Sequence, residues 1–404
     1  MADPKKDESA GSPPETARRA AGKKVTITDV ARLAGVSKKT VSRVINRSGL
    51  VKDDTRDKIL KIVEEHGYIP DPQARALALR RSHLIALISD QPNPQYIVDT
   101  QLGILEGLAP THYQLVIRPC DRDSPTLHDD ICEIIQHQKF FGVILTPSIS
   151  EDDELIGRLR QIECPYVRIA AVSLDSPENM IETHDYVGAA EAARHIAGLG
   201  HSCIAHIRGP NTFLSAKERL RGFRVGLAEH SLAVEDEYLL RGGYTFESGM
   251  RCGEELLALP KPPTAVFAGN DEMAVGVYQA VRRAGLRVPD DLSIVGFDDA
   301  PIATRIWPML TTVRLPIHYM GRTAVQLLVS NHDRVAMEPP VATSVMPSLI
   351  VRGSTGSPAR RVRASSSVRT SRFRSTSTAT IRTSSGMPGM RPRSPSTRST
   401  ATTW

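Results

Sequence analysis

The chain has 404 residues and a mean hydropathy of −0.22, a length sufficient for two or three domains. Its composition, 40% hydrophobic and 5% aromatic, is typical of a soluble α/β protein, and no apolar run approaches the roughly 20 residues that a membrane-spanning helix needs. The five cysteines lie far apart and form no Cys-x-x-Cys pair, which argues against a structural zinc site and for reduced thiols in a cytoplasmic protein.

The net charge of +6 is unevenly distributed along the chain. Residues 1–82 contain 18 Lys+Arg and 11 Asp+Glu, residues 83–356 contain 23 and 34, and residues 357–404 contain ten arginines and no acid. A basic head on an acidic body predicts a polyanionic partner for the head alone. Residues 1–22 lack the apolar stretch of a signal peptide and are predicted to be a disordered leader.

Three short helices are predicted in residues 23–69. The first, ITDVARLAG, places its apolar residues on one face and ends at Gly35. The second, VSKKTVSRVIN, starts after Ser37 as N-cap, and the third, KDDTRDKILKIVEEHGY, is capped near Asp53 or Asp54 and ends at a glycine. A tight Ala-Gly-Val turn joins the first two helices, which is the helix-turn-helix arrangement.

The stretch of residues 70–82 contains two prolines that stop the preceding helix, followed by a short helix-capable segment with little apolar surface. Such a helix is marginal on its own.

An alternation of strand-like and helix-like segments follows over residues 83–356. Seven apolar runs have strand length: LIALIS, YQLVIRP, FGVILTP, YVRIAAV, CIAHIRG, TAVFAG and LSIVGF. Segments such as VGAAEAARHIAGLG and DEMAVGVYQAVRRAG separate them as helices. The alternation predicts parallel sheets covered by helices, and about ten strands in all favour two similar lobes over one sheet. Residues 357–404, rich in Arg, Ser, Thr and Pro, are predicted to be disordered.

The second helix is the candidate recognition helix for the DNA major groove. Lys38 and Lys39 open it and Arg43 follows one turn later, and these side chains carry the donors that match guanine acceptors. Short polar side chains suited to phosphate contacts surround them, namely Thr26, Ser37, Thr40 and Asn46. The alternative is a solvated basic helix face, which would be preferred for an isolated Lys-Lys pair outside a helix-turn-helix.

The head resembles that of LacI/GalR-type bacterial repressors. The resemblance rests on DVA at 29–31, AGVS at 34–37, TVSRV at 40–44, YIP at 68–70 and AR-x-L at 74–77, and it continues through the body to about Gly356. It implies that Lys38 and Lys39 select among operators and that Arg43 reads a guanine. It also implies that a hinge helix bearing Ala74 and Leu77 folds when two copies meet in the minor groove, with Leu77 as the wedge that kinks the DNA.

Polar residues at the predicted strand ends of the body are candidates for a ligand site between the lobes. They are Asp90, Thr146, Asp185, Arg219, Asn270, Asp271 and Asp298, with Tyr244 as an aromatic face for a sugar. By spacing alone, helix capping explains an Asp or Asn after a strand as well. The resemblance implies that Arg219, Asn270 and Asp298 contact the effector and that Asp185 lies near the crossover between lobes.

Two departures from the family pattern leave the identity of the sugar open. Arg168-Ile169-Ala170 stands where some sugar-binding members carry an aspartate, and Leu315-Pro316-Ile317 stands where others place polar or aromatic contacts.

These observations together predict an all-α helix-turn-helix head with a hinge helix, followed by an α/β two-lobed body of parallel sheets that resembles periplasmic binding proteins. The predicted protein is a repressor without cofactor or metal, a homodimer or higher oligomer on a palindromic operator, controlled by a sugar or sugar derivative.

Two other function classes are less compatible with the sequence. A solute-binding transport protein would share the two-lobed body, but the DNA-binding head argues against it. A Rossmann dehydrogenase would need a G-x-G-x-x-G after the first body strand, which is absent from the sequence. The arginine-rich tail has three interpretations. It is DNA translated out of its natural frame, an extension without a function, or a segment that tethers the protein to DNA.

Overall fold

The structure, a computed structural model, describes residues 25–45, 51–68, 82–332 and 342–358. The predicted leader, almost all of the predicted hinge and all but two residues of the predicted tail lie outside these ranges.

The described part of the head contains three helices: α1 (Ile27–Ala34), α2 (Lys38–Ile45) and α3 (Asp53–Glu65). Thr26 caps α1 in a capping box with Asp29, and Gly35 ends it in the left-handed conformation at φ 69°. The Ser37 hydroxyl accepts a hydrogen bond from the backbone N–H of Thr40 at 3.1 Å and so caps α2, as predicted. The helix-turn-helix prediction is confirmed.

The predicted cap of α3 is wrong. The helix begins at Asp53, and the preceding Lys52 makes no side-chain cap hydrogen bond. The Asp53 carboxylate instead accepts from the Arg56 guanidinium at 2.5 Å within the first helical turn. Its negative charge there is still favourable, because the N-terminal end of a helix carries a partial positive charge.

Six buried apolar residues hold the three helices together: Val30, Ala31, Ala34, Val41, Val44 and Ile59. They come from all three helices, so each helix buries one apolar face and leaves the other to solvent.

The first lobe of the body has a five-stranded parallel sheet in the order β2-β1-β3-β4-β5. Its strands and helices are β1 (Leu84–Ser89), α4 (Pro94–Leu108), β2 (Gln114–Pro119), α5 (Leu127–Gln138), β3 (Gly142–Leu145), α6 (Asp153–Gln161), β4 (Tyr166–Ala170) and β5 (Met180–Glu182).

The second lobe has a six-stranded sheet in the order β11-β10-β9-β8-β6-β7, parallel except for β11, which pairs antiparallel with β10. Its elements are α7 (Asp185–Gly198), β6 (Ile204–Arg208), α8 (Leu214–Ala228), β7 (Leu239–Arg241), α9 (Phe246–Leu257), β8 (Ala265–Ala268), α10 (Asp271–Arg283), β9 (Ser293–Asp298), β10 (Thr311–Arg314) and β11 (Ser348–Ile350). All seven predicted apolar runs form strands.

The chain passes between the lobes more than once. After β10, helix α11 (Ile317–His332) returns to the first lobe and packs against α4. A Cβ on Gly321 would lie 2.3 Å from the Thr100 carbonyl oxygen, so the two helix backbones approach more closely than a larger residue would allow. The Arg322 guanidinium donates to the Glu106 carboxylate at 3.1 Å and fixes their register. Movement of one lobe relative to the other must therefore bend several connections together.

Within the described ranges, no helix has the length and apolar character needed to cross a membrane. In the same residues no three side chains of His, Cys, Asp or Glu are grouped so that they could hold a metal ion.

Candidate effector cleft and nucleic-acid interface

A small cavity lies where the two lobes meet. Twelve residues from both lobes line it: Gln91, Asn93, Tyr96, Pro147, Thr183, Asp185, Ser215, Arg219, Tyr244, Asn270, Asp298 and Leu315. Its volume of about 30 Å³ is close to that needed by one or two waters. Pockets for small molecules are typically about 300–1,000 Å³, so the lobes must separate before a ligand of that size can enter.

The Arg219 side chain joins several groups of this cleft. Its Nε donates to the Asp185 carboxylate at 2.7 Å, and its Nη1 donates to the Gly269 carbonyl. Its Nη2 lies 3.8 Å from Asp298 Oδ1, and the guanidinium lies 3.7 Å above the ring of Phe297. Burial by itself lowers the pKa of Arg219, but the two carboxylates and Tyr244 raise it above its ordinary value. Arg219 is therefore a buried permanent cation between two acids.

Asp298 occupies an unusual position at the end of β9. Burial raises the pKa of its carboxyl to about 7, although the Arg219 charge lowers it. Its backbone φ of 114° is one that residues other than glycine rarely adopt, and the next residue, Asp299, is left-handed at φ 56°. Such backbone strain is concentrated at ligand sites, where the surrounding structure holds a side chain in a fixed direction.

The structure brings together five of the eight predicted effector residues. Asp185, Arg219, Tyr244, Asn270 and Asp298 all line the cavity. The capping interpretation of the asparagine also holds, since Asn270 Oδ1 accepts from the Met273 N–H at 3.0 Å and caps α10. Its amide then donates to the Tyr244 carbonyl at 3.0 Å, so one side chain joins the helix start to the cleft wall.

The other three predicted residues, Asp90, Thr146 and Asp271, lie outside the cavity. The Asp90 carboxylate accepts from the Ser148 N–H and hydroxyl, at 3.1 and 2.6 Å, and from the Ile149 N–H at 3.2 Å. The buried Thr146 hydroxyl donates to the Ser89 hydroxyl at 2.7 Å. Both side chains therefore stabilise the turn after β3. Asp271 is similarly occupied, by Thr312 and the Ala300 N–H.

Several cleft residues were not predicted from the sequence, among them Gln91, Asn93, Tyr96, Thr183 and Ser215. Asn93 caps α4 by accepting from Gln95 N at 3.0 Å, and Tyr96 lies in the first turn of that helix. The loop after the first parallel strand would have indicated both, since ligands of such sheets bind at the carboxyl ends of the strands. The buried Tyr96 hydroxyl has no hydrogen-bond partner among the described residues.

A direct hydrogen bond crosses between the lobes beside the cleft. The Glu151 carboxylate, in the turn before α6, accepts from the Leu214 N–H at the start of α8 at 2.9 Å. The buried Arg168 donates to the Ser150 carbonyl at 2.7 Å and so holds that turn. Arg168, which stands where some sugar-binding family members carry an aspartate, therefore holds the turn that makes the lobe contact and does not line the cavity. Burial raises the pKa of Glu151 to about 7.

The candidate DNA surface is the exposed side of α2. Lys38 and Lys39 are exposed and Arg43 is half-buried, and none has an ion-pair or hydrogen-bond partner among the described residues. Thr26 and Ser37, predicted to contact phosphates, use their hydroxyls for the caps of α1 and α2.

The Thr40 hydroxyl lies 2.9 Å from that of Ser37. The predicted contacts Asn46, Ala74 and Leu77 lie outside the described residues.

Comparison with known proteins finds two regions that match family models. Residues 26–71 match the model of bacterial regulatory proteins of the lacI family, and residues 193–355 match a periplasmic binding protein-like domain. A probable HTH-type transcriptional repressor, ExuR of Bacillus subtilis, is 36% identical over 310 residues, which is 76% of this chain and 91% of that protein.

Two solved structures are similar over more than four fifths of this chain. A complex of the transcriptional regulator CelR with cellobiose superposes with a TM-score of 0.61 at 30% identity, covering 82% of this chain and 100% of that one. The lac repressor dimer bound to operator and the anti-inducer ONPF gives a TM-score of 0.65 at 28% identity, covering 83% and 100%. The chain belongs to the LacI family and is a DNA-binding transcription regulator, not an enzyme.

Proposed function

We propose that this protein is a repressor that binds a palindromic operator as a homodimer and changes its affinity when a sugar or sugar derivative enters the cleft. The observation that carries the proposal is the buried network of Arg219, Asp185 and Asp298 between two lobes that follow a helix-turn-helix. A fixed cation, two acids and the Tyr96 hydroxyl, which has no hydrogen-bond partner within the described ranges, offer a set of donors and acceptors. Sugar hydroxyls both donate and accept, so they match such a set.

The ring of Tyr244 supports a carbohydrate over other polar ligands. The ring lies 5.6 Å from the Arg219 guanidinium and is held by a left-handed backbone at φ 61°. An aromatic face next to charged hydrogen-bonding groups suits a ligand with apolar C–H faces and polar edges. The similar CelR structure contains cellobiose, which is consistent with a saccharide here.

Separation of the lobes connects the ligand to DNA binding. A sugar that contacts Arg219 and Asp298 must compete with their mutual contacts, so the ligand favours one arrangement of the lobes. A coupling of about 1–3 kcal/mol between cleft and operator is sufficient for regulation. The sugar-bound and the operator-bound states therefore differ in the arrangement of the lobes, to which the paired heads are attached.

The proposed division of the chain follows from the same reasoning. Residues 1–22 form a leader, 23–69 the DNA-binding domain, 70–82 the hinge, 83–356 the sensing and dimerisation body, and 357–404 a tail without a role in regulation. The protein acts in the cytoplasm, where operator DNA and metabolites are both accessible.

The test is to select bound sequences from a random pool of duplexes with the full-length protein, with and without a panel of sugars. We expect enrichment of an inverted repeat and a change in operator affinity with one sugar class. The matched variant Arg43→Ala should lose the discrimination between the selected and a scrambled duplex, by about 1–3 kcal/mol. Enrichment of no repeat, or no response to any sugar, would contradict the proposal.

A further inference from the structure

A second concave surface lies on the outer face of α8. It has a volume of about 290 Å³, and the residues that line it include four cations, Arg208, Lys217, Arg221 and Arg224, and no acid. This is unexpected in a body where residues 83–356 contain 34 Asp+Glu against 23 Lys+Arg. We call these four residues and the surface between them the basic groove.

Three of the four cations have no ion-pair partner among the residues that the structure describes. Arg221 is held by Glu218, at 2.5 Å from Nη2 to Oε2, and lies 3.9 Å above the ring of Tyr186. In contrast, no ion pair involves Arg208, Lys217 or Arg224 within the described part of the chain. Bringing like charges together without a partner is unfavourable, so the arrangement is poised for an anion.

Arg208 gives an independent indication of a ligand. Its Nε is buried and has no hydrogen-bond partner among the described residues. A buried donor without a partner costs free energy, which a bound acceptor recovers. Arg208 is the last residue of β6, so its guanidinium emerges at the carboxyl end of a parallel strand, where ligands of such sheets bind.

We propose that the basic groove binds the phosphate group of a small molecule, either a phosphorylated metabolite or inorganic phosphate. A volume of about 290 Å³ suits a small ligand and not a nucleic-acid duplex. The planar guanidinium groups of arginine match phosphate oxygens with paired hydrogen bonds, and a phosphate dianion neutralises more of the cluster than a carboxylate does.

The groove shares structural elements with the cleft. Helix α8 presents Lys217 and Arg224 on its outer face and Arg219 to the cleft on its inner face. A Cβ on Gly209, which lines the groove, would lie 2.1 Å from Tyr244 Cζ, so the backbone after Arg208 packs directly on the cleft tyrosine. Phosphate binding in the groove therefore adjusts the cleft, as a second regulatory input. The binding itself does not depend on the proposed repressor function.

The test uses isothermal titration of the full-length protein with inorganic phosphate at constant ionic strength. Lys217→Glu reverses one exposed charge in the groove, and Lys261→Glu makes the same change on the exposed surface of the same lobe outside it. We expect saturable binding in the wild type, about tenfold or more weaker in Lys217→Glu and unchanged in Lys261→Glu. Arg224→Glu should repeat the loss, and thermal unfolding should show that all variants are folded.

Two further arms identify the source of the phosphate group. If ribose 5-phosphate binds the wild type more tightly than inorganic phosphate does, and Lys217→Glu removes this advantage, the ligand is a phosphorylated metabolite. If the two compounds bind the wild type with equal affinity, the ligand is free phosphate. Every variant retains the basic head and tail. If phosphate is held only by general charge attraction, Lys217→Glu and Lys261→Glu should weaken its binding equally, and this result would overturn the proposal. Absence of saturable binding, or loss of duplex DNA binding alone in Lys217→Glu, would overturn it as well.

Discussion

Replacing Glu151 with glutamine tests the hydrogen bond that crosses the lobes. In the wild type the Leu214 N–H donates to a carboxylate oxygen of Glu151 at 2.9 Å. Glutamine has the same shape, and its carbonyl oxygen can accept the same hydrogen bond. The second carboxylate oxygen, Oε1, is buried without a partner among the described residues. The substitution therefore removes a buried charge while keeping the lobe contact.

The expected magnitude follows from the pKa of Glu151, which burial raises from 4.5 to about 7. Below pH 4.5 the carboxyl is protonated in both the folded and the unfolded chain, and it imposes no charge burial. Between pH 4.5 and 7 the unfolded chain ionises this carboxyl while the folded protein keeps it protonated, so the free energy of unfolding falls by about 3 kcal/mol over that range. Glu151→Gln has no such group, so its stability relative to the wild type should rise by up to that amount between pH 4 and pH 8.

The assay is urea unfolding of both proteins at several pH values, with Glu178→Gln, an exposed glutamate of the same lobe, as control. Comparing variant with wild type at each pH cancels the contributions of the other buried groups, including Asp298 and His206. A stability difference that stays constant from pH 4 to pH 8 would show that Glu151 is ionised without cost, and the reasoning would fail. The control difference should be flat.

Three further predictions concern the cleft, the dimer and the tail. Asp298→Asn should keep operator binding but weaken sugar binding tenfold or more in calorimetry, because a charge-assisted hydrogen bond is worth about 1.5–3 kcal/mol; Asp290→Asn, on the surface, should bind normally. Trp307 is 85% exposed and lines a groove with Leu286 and Ile306, so Trp307→Ala should shift the dimer toward monomer in sedimentation by more than about 1 kcal/mol; an unchanged dimer would place the interface elsewhere. Truncation after Gly356, whose carbonyl bonds to His201 at 2.8 Å, should preserve folding and operator choice and flatten the salt dependence of non-specific binding; loss of operator choice would assign the tail a role.

Local pattern was sufficient for most of the fold. The helices of the head and seven strands of the body were predicted because apolar periodicity, glycine stops and N-caps act over a few neighbouring residues. Short strands such as Met180–Glu182 and Leu239–Arg241 carry too few residues for a period to be visible. The cap of α3 was misassigned because Asp53 and Asp54 are equally good caps by type, and the helix instead includes both.

The candidate site was predictable where a residue follows a strand, and less so elsewhere. Asp298 and Asn270 come directly at strand ends and line the cavity. Asp90 and Thr146 have the same kind of position, yet their side chains turn to neighbouring loop groups, a choice made by the hydrogen bonds of the turn after β3. Residue type and position along the chain do not distinguish a side chain that contacts a ligand from one that stabilises a loop by hydrogen bonds.

The sequence by itself determined the class of the protein, since the helix-turn-helix and the alternation of strands and helices are local signals. Only the tertiary structure decided which charged groups meet. Arg219 contacts an acid 34 positions away, and Glu151 reaches a backbone N–H 63 positions away across the lobes. The basic groove exists only because Arg208 ends a strand beside the outer face of α8. The charge, pKa and partners of these groups depend on their burial and on their distances from side chains that are remote in sequence. The packing of the two lobes fixes both the burial and the distances.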